Sequence, residues 1–217
     1  MGDSVKGQSR AYDASGRREA ARATRRTVVA AAKTLLEERG YNATTFAEVA
    51  RRAGVSPASV YQRFGNKAAL FKEVFDDTIA GDDEPVAVAE RPEALRIQEE
   101  PDVKAKLRIF AEGAATRAAR SARVQLALRN GAPIDPAVAD LWQLIQAQRL
   151  TGMTMLASHL VDTGRLRTGI EVAEAREVLW TCISVEVYDL FVIQRGWSRD
   201  AYAEWLYRTL IASLTEQ

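Results

Sequence analysis

Apolar residues recur at three- and four-residue steps along most of the chain, with Arg, Glu and small residues between them. No segment alternates with period two for long enough to make a strand. The period predicts an all-α protein. The first run starts at Arg17, sets Ala20, Thr24, Val28, Ala31, Leu35 and Leu36 along one side, and ends at Gly40, where a left-handed C-cap residue is wanted. Residues 1–16 hold almost no large apolar side chains and are expected to form a flexible basic arm. Two short helices are expected next. Thr45, followed three residues later by Glu48, is a capping-box signature opening a segment that buries Phe46, Val49, Ala50 and Ala53 before Gly54 stops it. Ser56 then offers a hydroxyl N-cap and Pro57 the favoured first helical position of a segment through Tyr61 and Phe64. A further helix is expected over 67–80, with Leu70, Phe71, Val74 and Phe75 on one face.

Residues 81–90 are acidic, contain Pro85, and read as an inter-domain connection. Beyond them, breaks at Pro101, Gly131 to Pro136, Gly164 to Gly169 and Gly196 separate expected helices over 92–99, 102–130 (one or two), 136–162, 171–195 and 198–215. The expected organisation is an arm (1–16), a helix-turn-helix domain (17–80) and a larger helical domain (81–217).

Charge adds a direction to this layout. Of 217 residues, 1–80 hold 14 Lys and Arg against 9 Asp and Glu, and 81–217 hold 16 against 20. A basic front and an acidic back suggest that the front meets a polyanion; a solvated basic face is the plainer explanation of the same count. Cys182 is the only cysteine and His159 the only histidine, which excludes an intrachain disulfide and a multi-thiol zinc site. The chain has no phosphate-binding glycine loop, no dinucleotide fingerprint and no His pair for a metal, so neither a metal nor a cofactor is expected and the chain is not read as an enzyme. Acid–base chemistry around His159 is the remote alternative. The longest apolar stretch, Val178 to Ile193, is interrupted by Glu186 and Asp189, and no segment has the form of a signal peptide. A cytoplasmic protein with no membrane partner is expected.

The unit from Phe46 to Phe64 carries the chemistry. Two helices this short are not stable alone and must cross closely around a shared core. Small Ala50 permits the approach, Gly54 supplies the turn and Val60 fills the junction, which is what a helix-turn-helix needs; an ordinary helical hairpin would need the same. The wider run from Ala31 to Phe71, "AAKTLLEERGYNATTFAEVARRAGVSPASVYQRFGNKAALF", resembles the DNA-binding domain of the TetR family of bacterial regulators. The resemblance covers Gly40-Tyr41, Thr44-Thr45, Ala50, Gly54-Val55-Ser56, Tyr61, Phe64, Lys67 and Leu70-Phe71. It implies that Ser59, Tyr61 and Gln62 contact bases or groove and that Ala58 touches a thymine methyl. It also implies that Tyr61 and Lys67 contact phosphates. Thr45 and Ser56, at helix N-termini, are further phosphate candidates, and Arg63 can grip a phosphate or a guanine edge. Each has a plainer role open to it: capping for Thr45 and Ser56, packing for Tyr61, solvation for Lys67.

The same resemblance implies that the C-terminal domain dimerises and holds a small-molecule effector, giving a homodimer on a pseudo-palindromic double-stranded DNA operator, repressing until the effector releases it. The segment 171–195 is apolar on nearly all sides and is expected to be buried both by its own domain and by a partner subunit, joined by Tyr202, Trp205, Leu206 and Leu210. Candidate pocket residues are Trp142, Met153, Met155, His159, Trp180 and Tyr188, with Gln125, Arg129 or Glu186 as orienting polar groups; aromatics and Met at helical spacing serve equally as plain core. A C-terminal domain that only dimerises or docks a protein is the alternative.

Overall fold

The computed structural model of the chain describes residues 6–81, 91–163 and 166–216, and the side chains of these from residue 16 onward. The expected connection is thus, from residue 82, outside the described residues, as are residues 1–5 of the expected arm. The chain divides into two compact units, Met1–Val74 and Phe75–Gln217.

The first unit holds α1 (Lys6–Ala43), α2 (Phe46–Ala53), α3 (Pro57–Phe64) and the start of α4 (Lys67–Ala80). Helical backbone begins at Lys6, earlier than the periodicity starting at Arg17. Propagating a helix needs only one residue fixed per bond gained, so a run without an apolar face can continue from a packed one. Gly40 interrupts α1 with φ 74° and ψ −178°, a region essentially closed to residues with a Cβ. The turn it makes sends Tyr41 inward, where its ring meets Phe71 edge-on at 5.5 Å. Thr44 closes the same turn by donating its hydroxyl to the Gly40 carbonyl at 2.8 Å. Val28, Leu35, Leu36, Val49, Ala50, Val60, Leu70, Phe71 and Val74 form the buried interior of this unit.

The second unit holds the rest of α4, then α5 (Pro92–Glu99), α6 (Val103–Gly131), α7 (Pro136–Asp162), α8 (Val172–Cys182), α9 (Val185–Tyr188) and α10 (Arg199–Leu214). The 102–130 region is one helix. Its core runs through Leu107, Phe110, Leu160, Leu179, Tyr202, Leu206, Leu210 and Leu214. The single helix expected over 171–195 is not what forms. The backbone leaves α8 after Cys182, Ser184 caps α9 by accepting from Val187 N at 3.4 Å, and Asp189–Gln194 continues as a π-helical stretch. A serine hydroxyl offers the backbone a local partner that competes with the continuing ladder, so the break needs neither Gly nor Pro. Among the described residues no helix is long and apolar enough to cross a membrane.

Candidate functional site

The helix-turn-helix is built from its caps inward. Thr45 accepts from Glu48 N at 3.2 Å, opening α2, and Gly54 closes it in the left-handed region at φ 68°. Ser56 accepts from Ser59 N at 3.1 Å and bonds the Ser59 hydroxyl at 2.7 Å, opening α3 on Pro57. The capping box is only half formed, because the Glu48 carboxylate takes Arg51 at 2.5 Å and Arg39 at 3.5 Å instead of its own N-cap. The Arg51 bond, helped by the charges of Arg51 and Arg39, holds Glu48 below the usual carboxylate pKa. Val49, Ala50, Val60 and Phe64 turn inward and fix the crossing of the two helices.

What remains outward is the candidate DNA face. Ala58, Ser59, Tyr61, Gln62 and Arg63 are all exposed on α3, as are Thr45 and Ser56 at the two N-caps. Tyr61 is 64% exposed, and its ring stands edge-on to Phe46 at 5.3 Å, which orients the phenol without burying it. Arg63 closes no ion pair among the described residues, whereas Arg51 pairs with Glu48 and Arg52 with Glu38 at 2.9 Å. Lys67 is placed differently from the rest. It is half-buried, donates to the Tyr41 carbonyl at 2.6 Å and lies 3.8 Å from the centre of the Tyr41 ring, so it holds the α1–α4 junction as well as offering a cation.

The candidate pocket residues are less uniformly placed. Trp142 and Met153 pack half-buried against the core of the second unit, while Met155 is 57% exposed on α7. Gln125 donates to Ser121 on its own helix at 2.8 Å. Tyr188 is buried edge-on to Tyr202 at 5.0 Å, and Arg129 pairs with Glu186 at 3.2 Å. His159 faces Lys106, whose ammonium lies 2.8 Å from Nε2 and also donates to the carbonyls of Ile97 and Gln98. An ammonium only donates, so with Lys106 charged Nε2 is the accepting nitrogen of this pair.

Two residues escaped the sequence reading. Lys106 is 2% exposed, its pKa pushed down by burial against a smaller opposing pull from Glu100. Arg149 is half-buried, its guanidinium 4.2 Å from the centre of the Trp180 ring. Both stand on apolar rows of their helices, and a cation on such a row is the signal that could have found them. A separate surface groove of about 420 Å³ lies between α6 and α10, lined by Arg108, Glu112, Arg199, Glu204 and Tyr207 among others; none of the candidate pocket residues lines it.

Residues 28–74 match the family model described as bacterial regulatory proteins, tetR family. The HTH-type transcriptional repressor BdcR of Escherichia coli is 37% identical over 59 residues, 27% of this chain and 30% of that protein, so the match spans about three tenths of that relative's length. Solved structures extend the likeness over most of the chain. NalD, the secondary repressor of the MexAB-OprM multidrug efflux pump in Pseudomonas aeruginosa, is 21% identical with a TM-score of 0.68, covering 91% of this chain and 99% of NalD. The transcriptional regulator FadR of Bacillus subtilis, in complex with stearoyl-CoA, is also 21% identical, with a TM-score of 0.69 over 86% of this chain and 97% of FadR. At such identities the structures establish a shared fold. With its capped helix-turn-helix, the segment 28–74 belongs to the tetR family of bacterial regulatory proteins.

Proposed function

We propose that the protein is a homodimeric transcriptional repressor that binds a pseudo-palindromic DNA operator and is released from it by a small molecule held in the C-terminal unit. The observation that carries the reading is the exposed α3 face, Ser59, Tyr61, Gln62 and Arg63, standing on a helix whose opposite side is wholly committed to the core. Ser59 and Gln62 read base edges, Ala58 meets a thymine methyl, and Tyr61, Arg63, Thr45 and Ser56 contact phosphates. Lys67 adds a phosphate contact while it positions Tyr41.

One recognition helix of 8 residues reaches few base edges, and each good bidentate contact is worth about 1–3 kcal/mol of discrimination. Two copies related by a twofold axis read half-sites roughly 34–36 Å apart, or a multiple of that. Support for the second copy comes from the π-helical stretch and the turn after it, where Leu190 is 54%, Ile193 38% and Trp197 38% exposed beside the half-buried Phe191 and Trp205. An apolar cluster of this kind on a soluble surface is a contact site for another chain. Release needs an effector that prefers a conformation in which the two recognition helices no longer match the DNA, since equal affinity for both states shifts nothing.

Selecting the operator from genomic fragments and measuring anisotropy against salt tests the reading. Affinity should fall steeply with salt. The double substitution Tyr61→Ala with Lys67→Ala should remove operator binding while helical content is retained; unchanged binding would mean that α3 is not the reading helix.

A further inference from the structure

We propose that the C-terminal unit binds a small monocarboxylate with an apolar body, and that Arg149 holds the carboxylate. The proposal rests on reading this unit as an effector domain and adds the chemistry of the effector. On α7, four-residue steps place Leu141, Ile145, Arg149, Met153 and Ala157 on one face. Every other member of that row is apolar, and Leu141, Ile145 and Ala157 are buried. The guanidinium therefore enters the interior along a stripe that otherwise carries hydrocarbon.

Its surroundings leave it incomplete. The Arg149 Nε is buried without a hydrogen-bond partner, and so is the indole Nε1 of Trp180, the ring on which the guanidinium stacks. Native interiors rarely keep such donors unmet, and two on adjoining side chains mark a place where an acceptor is missing. No carboxylate among the described residues closes an ion pair with Arg149. Glu186 favours its charge, but forms its own ion pair with Arg129. Burial outweighs that attraction and depresses the guanidinium pKa, yet arginine remains charged at neutral pH. The site thus holds a half-buried cation whose inner nitrogen is unmet and which closes no ion pair among the described residues.

The shape of the deficit selects the ligand. A carboxylate presents two coplanar acceptors to the guanidinium fork and carries the one charge needed. A phosphate monoester, with a charge approaching −2 at pH 7, would overshoot it. The apolar body is matched by aromatic residues: Tyr202 lies close enough to influence the Arg149 charge and packs with Tyr188 and Phe191. Trp180, the ring under the Arg149 guanidinium, stands on the last turn of α8, just before the helical break at Ile183–Ser184. Interrupted and π-helical turns of this sort are frequent at functional sites.

The test uses the full chain with two matched pairs of probes, benzoate against benzamide and decanoate against decanamide, each pair differing in charge and little in shape. Calorimetry and Trp fluorescence should show the acid of at least one pair binding ten-fold or more tighter than its amide. Arg149→Met should erase that preference. Without ligand, Arg149→Met should raise Tm by about 2–4 °C, because it removes an unneutralised charge from an apolar row. Should the Met variant fail to fold, Arg149→Lys keeps the cation without the fork, and it should weaken the acid several-fold while leaving the amide unchanged. Acid and amide binding alike, in wild type and variant, would overturn the carboxylate and leave the effector domain standing. No binding of any probe, with Tm lowered in Arg149→Met, would mark Arg149 as structural and remove the support for both.

Discussion

Gly40 and Gly54 both adopt positive φ, and both have open space where a Cβ would go, with nothing within 4 Å. Packing therefore does not distinguish an alanine at one from an alanine at the other, and the difference in stability is a pure backbone effect. Gly54, at φ 68° and ψ 29°, lies in the left-handed helical well, where an L-residue is disfavoured by roughly 1–2 kcal/mol. Alanine recovers about 0.4–1 kcal/mol by narrowing the unfolded ensemble, so Gly54→Ala should destabilise by about 0.5–1 kcal/mol. Gly40, at φ 74° and ψ −178°, lies where only glycine is comfortable, and holding another residue there costs about 1–3 kcal/mol before any relaxation. Relaxation would move Tyr41, and with it the Lys67 bond. Less the same gain from the unfolded ensemble, Gly40→Ala should lower Tm up to about twice as much as Gly54→Ala, at about 2–4 °C per kcal/mol, and should weaken operator binding as well. Thermal melts followed by circular dichroism, paired with anisotropy titrations, measure both effects. A Gly40→Ala melt equal to or above that of Gly54→Ala would refute the conformational argument.

Other outcomes follow from single contacts. Ser56→Ala removes the cap of α3 and should destabilise by about 1 kcal/mol, seen as a lower urea midpoint. Gln62→Ala should relax base preference in a competition assay, whereas Arg63→Ala should weaken all sequences alike and reduce the salt slope by about one unit. Leu190→Glu places a charge in the exposed apolar cluster and should give, by analytical ultracentrifugation, a folded monomer with weakened operator binding; a dimer that persists would move the interface elsewhere.

The helix-turn-helix was legible because its boundaries are written in local chemistry. Thr45, Ser56, Pro57 and Gly54 each act on their own or the next turn of backbone, and each sits at the end it marks. Pro92 and Pro136 mark helix starts in the same way. The α8–α9 break was not legible, because a serine amid apolar residues reads as part of a helix until tertiary packing decides where the chain turns. Arg149 and Lys106 were missed for a related reason: a cation in sequence reads as solvated, and only the neighbouring helices reveal that these two point inward. Side-chain type does not say which face of α7 is covered, and the candidates Met155 and Met153 fall on different faces.

Cys182 ends α8 at the break, half-buried, with its carbonyl accepting from the Tyr202 hydroxyl at 3.2 Å. As the only thiol in the sequence it is a built-in clock for that break. Burial pushes its pKa up, so it holds little of the thiolate that thiol reagents need. Its labelling rate at fixed pH therefore reads the exposure and thiolate content of the thiol at the break. Timing the reaction with and without DNA would show whether occupancy of the operator is felt there.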